Sequence, residues 1–70
     1  MNSYMLIFPD GRRASTNGYA VFSEHPQLAS LVQSYIPPEG YADWCPDPGA
    51  YIAHLVGEDF QLRVEPISRE

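Results

Sequence analysis

Seventy residues make one domain, residues 1–70, and a chain this short buries only about 60% of the surface that its unfolded form exposes. A hydrophobic content of 44%, with five tyrosines and three phenylalanines, is enough for a core and argues against a disordered chain. Nine acids against four bases give a net charge of −5, with no lysine and arginines only at 12, 13, 63 and 69. No basic patch for phosphates can be assembled from these, so direct binding of DNA or RNA is not expected.

The first predicted strand is "SYMLIF", in which Tyr4, Leu6 and Phe8 alternate with Met5 and Ile7. Both sets are apolar, which predicts a central strand covered on both faces. Pro9-Asp10-Gly11 predicts a bulged hairpin turn, and "RRAST" the short, polar return strand. Asn17-Gly18 is the preferred pair for a two-residue type I′ turn, leading into a third strand at 19–23. Leu28, Leu31, Val32 and Tyr35 then fall on one face of a helix. Pro26 suits its first position, His25 or Ser23 its cap, and Pro37-Pro38 ends it.

Residues 37–49 hold four prolines, two glycines and three acids, and fit no period; they predict a long ordered loop. Residues 50–56 support two readings. They alternate weakly and can pair with 60–64 across Gly57-Glu58-Asp59. They also fit a short second helix at 48–56, with Asp47 as cap, Pro48 first and Gly57 as stop. Their tyrosine, isoleucine and valine, in a run as long as the last strand, favour the hairpin. The predicted fold is α+β: a small antiparallel sheet, built from a β-meander and a C-terminal hairpin, with one helix packed on one face. The order is strand, strand, strand, helix, loop, strand, strand.

Cys45 and His54 are the residues from which nucleophilic catalysis would be built. Pro46 removes a backbone N–H beside Cys45 that an oxyanion hole would use, and no glycine-flanked nucleophile turn surrounds it. A small buried thiol serves equally as packing. Cys45, His25 and His54 lack the paired spacings of a zinc site, and Asp43 and Asp47 lack the glycine and terminal glutamate of a calcium loop. The glycines stand singly, so there is no phosphate loop. An enzyme is therefore not expected, nor a cofactor or metal.

The stretch "YADWCPDPGAY", residues 41–51, suits binding better. Tyrosine and tryptophan offer stiff contact area, prolines pre-order the loop, and acids steer a basic partner. Trp44 can serve instead as an inward cap on the core. The expected partner-binding residues are Glu39, Tyr41, Asp43, Trp44, Asp47, Glu58 and Asp59. In size and charge the chain is similar to small inhibitor proteins of phages and mobile elements, such as anti-CRISPR proteins, a likeness that no motif carries. The expectation is a small, acidic, non-enzymatic protein-binding module. It would inhibit or modulate a larger, nucleic-acid-handling machine by docking on its basic surface. The alternatives are an accessory subunit of a larger assembly and, remotely, a minimal Cys/His enzyme or metal protein. A single cysteine excludes an internal disulfide and fits a cytoplasmic setting. The apolar run from Tyr4 to Phe8 is too short to span a membrane or to serve as a signal core.

Overall fold

The computed structural model describes residues 2–41 and 45–67. Its elements are β1 (Ser3–Ile7), β2 (Arg13–Thr16), β3 (Val21–Phe22), α1 (Pro26–Gln33), α2 (Pro48–Phe60) and β4 (Arg63–Ile67). The strands form one antiparallel sheet in the order β3-β2-β1-β4. The class is the expected α+β, with four strands and two helices in place of five strands and one helix.

The first turn forms as its sequence predicts. The Gly11 N–H donates to the Phe8 carbonyl and the Phe8 N–H to the Arg12 carbonyl, both at 2.9 Å, with Gly11 at φ 93°. The second turn differs. Thr16 pairs with Val21, so the loop has four residues, and Gly18 has positive φ where Asn17 does not. The type I′ expectation fails because side chains supply the acceptors. Asn17 Oδ1 takes the N–H groups of Tyr19 and Ala20, and Thr16 Oγ1 takes that of Gly18. Tyr19 and Ala20 are thereby drawn into the turn, and β3 shortens to two residues.

Pro26 opens α1 behind an extended His25, as the restriction on a residue before proline requires. Leu28 and Val32 are buried, while Leu31 and Tyr35 pack at the margin.

The expected C-terminal hairpin is not formed; residues 50–56 belong to α2. Asp47 caps this helix, accepting the Ala50 N–H at 3.2 Å, and Pro48 takes the first position. Ile52, Ala53 and Val56 are then buried together, which strand alternation would split between two faces. Gly57 does not stop the helix. A Cβ there would lie 3.2 Å from a Val64 methyl, so glycine lets α2 approach β4 closely. The chain turns at Gln61, left-handed at φ 54°, and β4 pairs with β1 instead of with a hairpin neighbour.

Both helices lie on one face, α1 over β2 and β3, α2 over β1, β2 and β4. Leu6, Phe8 and Ala14 from the sheet meet Leu28 and Val32 from α1 and Ile52, Ala53 and Val56 from α2. β1 is central, as expected, but not covered on both sides. The face carrying Met5, Ile7, Arg13, Ser15, Phe22, Arg63 and Glu65 has no helix over it.

The glycines of the two turns separate backbone strain from contact. At Gly11 (φ 93°) an added Cβ meets nothing within 4 Å, whereas at Gly18 (φ 91°) it would lie 2.5 Å from the Pro48 side chain. Gly11→Ala should therefore cost the left-handed penalty alone, about 1–3 kcal/mol. Gly18→Ala should cost more, because α2 must also shift. Thermal melts of the two variants check this, and the Gly18 variant is expected to melt lower.

Candidate functional site

α2 begins where the second turn folds back. Pro48 packs on Gly18, and the preceding loop brings Tyr41 alongside. The Tyr41 hydroxyl donates to the Gly18 carbonyl at 2.5 Å. Its ring meets Tyr19 at 5.5 Å and Tyr51 at 6.2 Å between centroids, with interplanar angles of 87° and 90°. Such edge-to-face contacts favour aromatic pairs beyond the area they bury. The central ring is half-buried, while Tyr19 and Tyr51 keep 55% and 37% of their surface exposed. Turn, loop and helix thus build a stiff ledge of three tyrosines, with two open to solvent. A hollow of about 350 Å³ adjoins it, lined by Tyr19, Tyr41, Ile36, Pro37 and Pro38 among others. Burial, then the neighbouring Cys45, Tyr19 and Tyr51, hold the Tyr41 phenol above its ordinary pKa, so it stays a neutral donor.

The residues expected to bind a partner fall into separate places. Tyr41 is the centre of the ledge, and Glu39 lies exposed in the chain that lines the hollow. Asp47 is half-buried and committed to structure. It accepts from Tyr4 Oη at 2.7 Å and Asn2 Nδ2 at 3.1 Å, besides capping α2. Glu58 and Asp59 sit at the other end of this 13-residue helix, about 15 Å away along its axis. Glu58 faces His54 at 3.4 Å, and Asp59 accepts from Tyr35 Oη at 2.7 Å, joining the turn after α1 to α2. Asp43 and Trp44 lie outside the described residues.

Sequence reasoning missed Tyr19 and Tyr51 as partners of Tyr41. One reads as a strand residue and the other as half of a hairpin, so no local pattern links them. The Cys45–His54 pairing has no support in contacts. Among the described residues no hydrogen bond joins them, and no cluster of His, Cys, Asp and Glu is arranged to hold a metal ion. No described helix is long and apolar enough to cross a membrane.

Comparison with known proteins finds no family model, no curated protein and no solved structure that matches the chain. The likeness to phage inhibitors rests on size and charge alone.

Three hydrogen bonds hold the Asp47 carboxylate below the usual aspartate range, those from Tyr4 and Asn2 first; the same contact, ahead of burial, raises the Tyr4 phenol. In the unfolded chain Asp47 returns to an ordinary pKa of about 3.9. Its stabilisation is therefore complete above that pH and is lost as pH falls through the lower folded value. Asp47→Asn keeps a capping side chain but removes the titration. Between about pH 4 and pH 2 stability should fall less steeply in this variant than in wild type, as urea titrations across that range would show.

Proposed function

We propose that the protein is a non-enzymatic protein-binding module that docks through its tyrosine ledge on a basic surface of a larger protein and modulates it by occupancy. The observation that supports this reading best is the pair of exposed tyrosines braced edge-to-face on an anchored third. Tyrosine is enriched at interface hot spots, and a ring already fixed in place loses little freedom on binding. Charge points the same way. The ledge lies at the α2 N-terminal end of the domain, while Arg12, Arg13 and Arg63 lie toward the Phe8–Arg12 turn. Glu39 beside the hollow makes no ion pair among the described residues, and the net charge of −5 adds long-range attraction for cations. A nucleic-acid-handling partner fits this logic, because such proteins carry basic channels.

Photo-crosslinking probes placed at Tyr19 and Tyr51 in the native host should capture a basic protein, with yield falling as salt rises. With that partner in hand, Tyr19→Ala or Tyr51→Ala should weaken binding by about 2 kcal/mol or more if these are hot spots, through faster dissociation. Melting temperature should fall less in the Tyr19 variant than in the Tyr51 variant, whose ring is the less exposed, so binding is compared at a temperature where both are folded. Glu39→Lys should act on the association rate instead. Adducts formed from Phe22 on the open sheet face, and none from the ledge, would sink the proposal.

A further inference from the structure

Among the described residues the outer edge of β4 is unpaired, and its sequence is complementary to itself. There β4 ends the sheet and bonds only to β1. Pro66 lies opposite Tyr4 and has no N–H to offer it. Paired residues of an antiparallel ladder alternate between hydrogen-bonded and non-bonded positions. Pro66 therefore occupies a non-bonded position, and so does Val64. Both turn their backbone groups outward, and the free edge presents the Val64 N–H and carbonyl together with the Pro66 carbonyl. Arg63 and Glu65 direct their backbone groups to β1 and share the face that no helix covers. Their side chains are 75% and 48% exposed and meet each other at 2.9 Å.

We propose that β4 pairs antiparallel with β4 of a second copy, about a twofold axis at Val64, joining two four-stranded sheets. Val64 exchanges both backbone bonds with Val64 of the other copy. Arg63 then stands opposite Glu65 of that copy, and Glu65 opposite Arg63, at the close non-bonded positions where opposite charges attract. The register is selective. Slipping it by two residues brings Arg63 against Arg63 or Glu65 against Glu65, which is unfavourable. On the helix side, Leu62 and Pro66 come opposite Pro66 and Leu62 of the other copy. A cleft of about 400 Å³ between α2 and β4, lined by Ala53, Gly57, Leu62 and Val64 together with His54 and Glu58 among others, runs beside that contact. Pro66 has no N–H and that of Leu62 is committed to the Gly57 carbonyl at 2.9 Å, so Val64 alone carries backbone bonds across the join and the association is weak and reversible. The opposite edge, β3, has two residues, so growth stops at the dimer.

Charge reversal tests the register without disturbing the fold. Glu65→Arg places two arginines along the edge, and Arg63→Glu places two glutamates. In sedimentation equilibrium each variant alone should associate at least about tenfold more weakly than wild type. An equimolar mixture should restore wild-type association, because the two edges then complement each other. Circular dichroism melts of both should match wild type. Three results would overturn the proposal. The first is a wild-type protein that stays monomeric up to about 1 mM, which would mean that Arg63, Glu65 and Pro66 serve to blunt the edge. The second is variants that associate as strongly as wild type, and the third a mixture that associates no better than its components.

Discussion

One carboxylate ties the first turn of α2 to the central strand of the sheet. Asp47 closes the N-terminus of α2 and in the same position receives the Tyr4 hydroxyl from β1 and the Asn2 amide. The helix is thus fixed in depth and in direction at its first turn. Pro48 comes to rest on Gly18, and that contact sets the second turn against the helix. Tyr41 reaches the Gly18 carbonyl only because the turn is there. The aromatic ledge is therefore a consequence of how α2 is seated. A domain of 70 residues has little stability in reserve, and placing the candidate surface over its best-anchored joint lets it be stiff at small cost.

The sequence was legible where local chemistry decides. Pro9-Asp10-Gly11 carries its turn type, and Pro26 and Pro37-Pro38 bracket α1 without help from the rest of the chain. It was ambiguous at 50–56 because two local signals disagree. Tyrosine, isoleucine and valine favour a strand, while Asp47-Pro48 starts a helix. Tertiary packing decides between them, burying Ile52, Ala53 and Val56 on one face and using the missing side chain of Gly57 to bring α2 against β4. No window of sequence contains that fact, since Val64 is part of it.

Of the three clustered tyrosines, the sequence singled out one. Aromatic, proline-rich and acidic composition marks the segment around residue 41, and Tyr41 stands at the centre of the three-tyrosine cluster. Tyr19 and Tyr51 come from a turn and a helix, and only the fold brings them in. The reverse holds for Asp47. It reads as a steering acid or as a helix cap, and its oxygens are occupied within the domain as a cap and an acceptor.

The use of acids inside the fold does not weaken their outward field. Asp47 and Asp59 each accept from a tyrosine hydroxyl, that of Tyr4 and that of Tyr35, and both phenols are held above their ordinary pKa by those carboxylates. The donor is neutral in each pair, so the hydrogen bond satisfies the carboxylate without cancelling its charge. Lysine or arginine in the same places would give ion pairs and remove negative charge from the surface potential. A chain without lysine that ties its helices with phenols instead keeps its acids structurally useful and electrostatically visible together. On the proposed reading, a structural aspartate would add to the attraction of a basic partner while the tyrosine ledge supplied the contact.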